Sequence, residues 1–415
     1  MSFSKVATDI KRPFAVTLIN TVGRLLNTVG ITAVRLDEQK LLNKAQKNTG
    51  LSDFGDDDFR EGLTVLLHSL EHEAELNLLG RIMAYKQVLN LLKNRLLITD
   101  TLKKNPEIEQ IDIAKPMIIA GLPRTGTTIL QGLLAADPDS RVLKFWEGAQ
   151  PCPPASGPDN RIADSKKDMD ILCQFIPGFQ AIHSVGAELP QECLTLMAIN
   201  FTSAQFELNF NVPSYQEWYF NRDLSKTFIF HKKCLQLLQF YQPGQHWVLK
   251  TPPHVSAVEP LLAIYPDARI LQTHRDPAKV MISVSSLYYA LHALGSDTVT
   301  PTMIGALEVK NWARHLEISM QARDRLGDKA EQIYDVYFDD LLDTPVAEIK
   351  KIYNHFNMTW SDTLEQTLNT FMAQNTREKH GKHAYSAEMF GLNEDELDEA
   401  FSAYRQRFNI SKNNR

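Results

Sequence analysis

The residues with the most chemistry in this sequence stand directly behind a short apolar run. Gly121-Leu122-Pro123-Arg124-Thr125-Gly126-Thr127-Thr128 follows Met117-Ile118-Ile119-Ala120 and leads into Ile129, Leu130, Leu133 and Leu134 at helical spacing. A strand, a tight turn and a helix start make an anion site, because glycine permits unusual backbone geometry and the first helical turn offers free N–H donors. The spacing of Gly121 and Gly126 matches a nucleotide triphosphatase loop, G-x-x-x-x-G-K-S/T, but Thr127 stands where the lysine belongs. The cation sits inside the loop instead, as Arg124. Such a loop can cradle a phosphate or sulfonate-bearing group while lacking the usual handle on a γ-phosphate. It favours a nucleotide that carries its reactive group on a 5′-phosphate, with little need for a metal.

Two further polar groups close apolar runs downstream. His246-Trp247-Val248-Leu249-Lys250 ends in a cation and turns through Thr251-Pro252-Pro253-His254, and Ala268-Arg269-Ile270-Leu271-Gln272-Thr273 runs into His274-Arg275-Asp276-Pro277. The pattern predicts strands at 246–250 and 268–273 with a helix over about 255–264 between them. Asp276 is the expected N-cap of the next helix and Pro277 its first residue, with Val280, Ser283, Val284 and Leu287 following. A helix over 303–326 then leads to an alternating strand at 332–337, and Thr344-Pro345 opens another helix. This order predicts an α/β fold with a parallel, P-loop-like sheet in a three-layer core, whose ligands lie at the carboxyl ends of the strands. Residues 121–128, 250–254 and 274–276 all fall at such ends.

Around this core, residues 1–110 are read as an N-terminal helical layer packed on it, the core as 111–360 with an acceptor-side insertion at 138–245, and 361–415 as a helical tail of the same domain. In the first layer Leu63, Leu66, Leu67, Leu70, Ala74, Leu78, Ile82, Tyr85, Leu89, Leu92 and Leu96 recur at three- and four-residue steps, as one long amphipathic helix or a broken pair. The insertion gathers Phe206, Phe210, Tyr215, Trp218, Tyr219 and Phe220, either as core or as the wall of an apolar acceptor pocket. The tail holds the basic turn Arg377-Glu378-Lys379-His380-Gly381-Lys382-His383, which either closes over an anionic ligand or is a plain surface turn.

Composition narrows the function classes. The 415 residues carry a net charge of -6 with both signs interleaved and no long basic run, so nucleic acid is not an expected partner. Cys152, Cys173, Cys193 and Cys234 show no C-x-x-C spacing and are too few for a disulfide framework, which points to a reducing, cytoplasmic setting. No apolar run reaches the roughly 18–20 residues of a membrane span. Lys5, Lys11 and Arg12 precede Phe14-Ala15-Val16-Thr17-Leu18-Ile19 in the manner of a signal peptide, but Arg24 and polar residues interrupt the run. The segment is read as a helix packing on the body rather than one lying on a membrane. His68-Ser69-Leu70-Glu71-His72 fits the H-x-x-E-H pattern of some zinc peptidases, but no third ligand is announced, and the two histidines are read as boundary residues beside the apolar stripe.

Taken together, Gly121–Thr128 behind a strand, the Leu249-Lys250-Thr251-Pro252 turn, and Thr273-His274-Arg275-Asp276-Pro277 with Ser283 eight residues past Arg275 resemble the sulfotransferases that use 3′-phosphoadenosine 5′-phosphosulfate. The likeness is to their large bacterial branch, related to tyrosylprotein sulfotransferases, and covers most of the chain in order and spacing. It implies an enzyme that moves a sulfuryl group from that co-substrate to a hydroxyl or amine of a small-molecule, lipid or glycan acceptor, without a metal. A P-loop kinase or triphosphatase-like phosphotransferase is the alternative. By the resemblance, Arg124, Thr125, Gly126, Thr127 and Thr128 form the 5′-phosphosulfate loop, Arg275 and Ser283 grip the 3′-phosphate, and Tyr337 lies near the adenine. Lys250, with Arg124, is expected on the bridging oxygen. Glu147 stands where the tyrosylprotein branch has its glutamate and is the expected general base, with His254 as partner or alternative. Glu188 and Glu192 lie where the bacterial branch has acidic residues, and either line the acceptor pocket or cap a helix. The glycine- and lysine-rich closing segment of cytosolic relatives is not evident, and 377–383 is its expected substitute.

Overall fold

A computed structural model describes residues 13–176, 186–374 and 386–412. Five parallel strands, β1 Met117–Gly121, β2 Ser140–Val142, β3 His246–Lys250, β4 Arg269–His274 and β5 Ile333–Tyr337, lie in the order β2-β3-β1-β4-β5. Side chains alternate across this sheet. Met117, Ile119, Val248, Leu271 and Val336 face a layer built by the helices Thr127–Ala135, Pro345–His355 and Asp362–Gln374. Ile118, Leu249, Ile270 and Ile333 face the other way, into a larger core shared with the helices Ser225–Tyr241 and Val258–Ile264 and with the N-terminal helices. Cover on both faces explains why the central strand β1 reads as an unbroken apolar run, while the edge strand β5 alternates. The central strand β1 pairs with β3 on one side and β4 on the other, so the loops after all three meet at one edge.

The strands expected at 246–250, 268–273 and 332–337 are present, and Asp276 caps the helix Pro277–Gly295 by accepting from the Ala278 N–H. Strand β2 is additional. Its three residues are too few to show alternation in sequence, and it exists through its pairing with β3, Ser140 opposite His246 and Val142 opposite Val248.

The leucine stripe resolves into the broken pair, Phe59–His72 and Leu78–Lys104. Glu75 takes a left-handed φ of 44° at the break. Asn77 restarts the chain, its side chain accepting from the Gly80 N–H and its own N–H donating to the Gly295 carbonyl at 2.9 Å. Gly80 lies so close to the end of the helix Pro277–Gly295 that a Cβ would stand 2.1 Å from the Gly295 oxygen. That contact ties the N-terminal helices to the helix that begins at Pro277, two residues past Arg275.

The aromatic insertion is core. Phe206, Phe210, Tyr215 and Tyr219 are buried, and the Tyr215 hydroxyl accepts from the Ser203 N–H and donates to the Phe201 carbonyl, each at 2.9 Å. Trp218 is partly buried against the same cluster and its indole donates to Glu61. The basic turn 377–383 lies outside the described residues. Among the described residues, no helix is long and apolar enough to cross a membrane.

Candidate active site

The loop after β1 owes its shape to three left-handed residues, Gly121 at φ 137°, Arg124 at φ 64° and Gly126 at φ 86°. Gly121 touches β4, and a Cβ there would meet Thr273 Oγ1 at 2.4 Å and the Thr273 carbonyl oxygen at 2.6 Å. Thr125 fastens the loop from within. Its hydroxyl is 2.6 Å from both the Leu122 carbonyl, to which it donates, and Thr273 Oγ1. The Thr125 side chain therefore belongs to the loop's interior. Gly126 caps the helix Thr127–Ala135, and Thr128 is exposed in the first turn of that helix, where backbone donors have no partner within the helix.

Arg124, Ser283 and Arg275 meet on the β4 side of this loop. Arg124 Nε donates to Ser283 Oγ at 3.0 Å, and Arg275 Nη1 donates to the Arg124 carbonyl at 2.9 Å. The Arg275 guanidinium lies 4.0 Å from the Phe338 ring centroid, a stacked placement that holds its plane. Burial, and then the charge of Arg124, lower the proton affinity of Arg275 below that of a free arginine. Two guanidinium side chains at one turn can offer charge-assisted hydrogen bonds to a multiply charged anion. The turn beneath them is braced by the C-terminal helix Glu394–Arg407, whose Arg405 binds Asp276 Oδ1 through Nε at 2.9 Å and Nη2 at 2.7 Å.

On the β3 side stands Lys250, buried, with its ammonium 2.9 Å from Glu192 Oε1. The backbone fixes this pair: the Cys193 N–H donates to the Lys250 carbonyl at 3.0 Å, and the Leu194 N–H donates to Thr251 Oγ1 at 3.2 Å. Glu188 is exposed on the surface. His254 is buried, with Phe228 5.4 Å and His231 6.5 Å away between ring centroids. Burial, and secondarily His231, push its pKa down to about 3, so the ring is neutral and a weak base.

Glu147, the base expected from the sequence, is buried beside Arg141. Arg141 Nη2 and Nη1 donate to its two oxygens at 2.6 and 3.0 Å, the Lys144 N–H donates to Oε2 at 2.9 Å, and Arg141 itself lies 4.5 Å from the Trp247 ring centroid. Both oxygens take part in a buried ion pair that caps the helix Phe145–Ala149. Tyr337 stacks on His274 at 5.3 Å and donates its hydroxyl to the Phe408 carbonyl at 3.2 Å, which joins β5 to the C-terminal helix. Phe338, the next residue and the one stacked on Arg275, was not singled out in the sequence. Its position just past the end of a strand is the signal that marks it. His68 and His72 are exposed with rings 4.8 Å apart, and among the described residues no group of three or more possible metal ligands forms.

A parallel sheet with a glycine loop at its central strand, guanidinium groups on one flank and a buried lysine on the other defines a transferase of the P-loop-like α/β class. The description of the sulfotransferase family matches residues 116–362, and the chain belongs to that family, in its bacterial branch. It is an enzyme, a sulfotransferase, and the phosphotransferase alternative falls away. The solved structure of sulfotransferase STF1 from Mycobacterium tuberculosis H37Rv superposes with a TM-score of 0.78 at 33% identity, covering 88% of this chain and 98% of that one. STF9 from Mycobacterium avium gives a TM-score of 0.78 at 27% identity, covering 91% of this chain and 98% of that one. Among curated proteins, omega-hydroxy-beta-dihydromenaquinone-9 sulfotransferase Stf3 of Mycobacterium bovis is 21% identical over 305 residues, 70% of this chain and 74% of the relative.

Proposed function

We propose that the chain transfers the sulfuryl group of 3′-phosphoadenosine 5′-phosphosulfate to a hydroxyl of a lipid-like acceptor. The observation that carries this reading is the meeting of Arg124, Ser283 and Arg275 on one side of the loop after β1, with Lys250 on the other. In this reading the backbone N–H groups of Arg124 to Thr128 hold the 5′-phosphosulfate. Arg275 and Ser283 take the 3′-phosphate, and Tyr337 borders the adenine. None of these roles calls for a metal.

The acceptor oxygen attacks sulfur in line with the bond to the 5′-phosphate. A new O–S bond forms as the bridging S–O bond breaks, and adenosine 3′,5′-bisphosphate leaves with the bonding electrons. Lys250 and Arg124 stabilise the charge that develops on the departing oxygen. The acceptor's proton needs a base near Lys250, and we assign it to Glu192 in place of Glu147. Glu192 is partly exposed, and its carboxylate lies 2.9 Å from the Lys250 ammonium. When Lys250 turns to the bridging oxygen, the carboxylate is released to accept the proton. His254, held neutral by burial, is the partner residue on that side.

The name of the Stf3 relative specifies an omega-hydroxy menaquinone derivative. A hydroxyl at the end of a long apolar chain is therefore the first acceptor to try. Four free cysteines fit the reducing, cytoplasmic setting that we assign. The test is incubation with the ³⁵S-labelled donor in EDTA and a panel of long-chain alcohols, isoprenoid alcohols, sterols, phenols and glycans. Label on the long-chain or isoprenoid alcohols is expected. Transfer to phenols or glycans alone would overturn the acceptor class, and no transfer to any acceptor by a chain that binds the donor would overturn the reaction.

A further inference from the structure

The helix Phe14–Thr28 has two apolar faces, and among the described residues only one is packed. On the inner face Val16 is fully buried against Leu79, Ile176, Ala290 and Leu294. Asn20, also buried, accepts from the Leu79 N–H at 3.1 Å and so caps the start of the helix Leu78–Lys104. Gly23 lets the two helices touch, since a Cβ there would stand 2.5 Å from Leu78 Cβ. These contacts fix the rotation of the helix, and its outer face cannot turn inward without losing them.

The outer face is apolar and open. Phe14 is 83% exposed, Leu18 53%, Val22 44% and Leu25 64%, with Val29 at 67% just past the last turn. At 3.6 residues per turn these five positions fall within an arc of about 80°. Thr17, Thr21, Arg24 and Thr28 line one flank of that arc, all exposed. Scattered exposed leucines are ordinary, but an aligned row of them on one helix face marks a surface that meets something apolar.

Charge names the occupant. The chain as a whole is acidic at -6, yet between Asp9 and Asp37 the sequence holds Lys11, Arg12, Arg24 and Arg35 and no acidic residue. Arg24 and Arg35 are exposed. A basic segment carrying an open apolar stripe is complementary to an anionic lipid surface, where the stripe enters the acyl boundary and the cations meet the headgroups. The helix has 15 residues, too few to span a bilayer, so it lies on the surface rather than passing through it.

We propose that the outer face of the helix Phe14–Thr28 seats this protein on an anionic lipid membrane. The inner face, which holds to the far end of the helix Pro277–Gly295, fixes the orientation of the catalytic body above that membrane. The inference does not depend on which molecule accepts the sulfuryl group.

The test is co-sedimentation of the full chain with phosphatidylcholine vesicles, with and without phosphatidylglycerol. The parent chain is expected to pellet with the phosphatidylglycerol vesicles and to be released by added salt. Leu18→Ser/Leu25→Ser should lower that binding about tenfold or more, and Arg24→Gln about fivefold. Both variants change exposed side chains only, so an unchanged melting temperature will show that they are folded. Failure of the parent chain to pellet, or equal pelleting by the folded Leu18→Ser/Leu25→Ser variant, overturns the proposal. So does a dimer in sedimentation velocity that this double variant converts to monomer without any vesicle binding, because a second copy would then cover the stripe.

Discussion

At the scale of single residues, the side chains proposed to hold the donor are distinct from those that hold the fold. Arg275→Ala should weaken binding of adenosine 3′,5′-bisphosphate by about 100-fold, the loss of charge-assisted hydrogen bonds to a dianion. It should barely affect adenosine 5′-monophosphate, and calorimetric titration of both nucleotides reads the difference. Glu192→Gln should reduce turnover at least about 100-fold with nucleotide affinity nearly intact. Glu147→Gln should instead lower stability by about 3–5 kcal/mol, because it leaves the buried Arg141 without its countercharge. Equal turnover losses with equal melting temperatures would return Glu147 to the site. The positions of these candidates were legible in the sequence: Lys250 closes β3, Arg124 lies in the loop after β1, Arg275 follows β4, and Ser283 stands eight residues past Arg275 in the next helix. What was not legible is pairing. Nothing in the order of residues tells that Arg141 takes both oxygens of Glu147, or that Glu192 reaches Lys250, since both depend on how the loop after β2 folds over β3.

At the scale of elements, the site is a product of close approach between strand tips. Gly121 at φ 137° lets the loop after β1 lie against Thr273 of β4. Gly121→Ala should cost at least about 2 kcal/mol, through both the backbone conformation and the clash with Thr273. A thermal melt and a nucleotide titration together check this, and a variant as stable and as tight-binding as the parent chain would contradict the role given to that turn. The five- and six-residue strands were read from their apolar or alternating runs and the helices between them from periodicity, whereas the helices Glu38–Thr49, Arg161–Phe175 and Ser225–Tyr241 were not singled out. Strand β2 escaped because three residues carry no period. The leucine stripe left one helix or two undecided because the break at Glu75 and Asn77 is made by a contact with Gly295, far away in sequence. The aromatic insertion shows the same limit, since apolar residues at a wall and apolar residues in a core have the same pattern.

At the scale of the whole molecule, burial of ionisable groups sets how the protein responds to acid. Burial pushes His231, His254 and His315 down to about 3, and His292 to about 4. The unfolded chain takes protons on these rings below about pH 6.5 while the folded chain does not, so stability is full above that pH and falls as pH drops. Each ring steepens the fall by about 1.4 kcal/mol per pH unit. Asp335 adds a separate loss at lower pH. Burial alone would raise it, but hydrogen bonds from His274 and Arg323 hold it at about 2, so its contribution is present above about pH 4 and disappears as pH falls toward 2. Melting temperatures should therefore decline clearly between pH 7 and pH 5, and a flat profile would contradict the buried, neutral state of these histidines. The fold brings the tips of β1, β3 and β4 to one edge, which we propose binds the nucleotide donor. Calorimetric titration of the full chain in EDTA with adenosine 3′,5′-bisphosphate, set beside ATP with magnesium, tests that claim most directly. The account predicts binding of the bisphosphate without metal and none of ATP; magnesium-dependent binding of ATP with no response to the bisphosphate would contradict it.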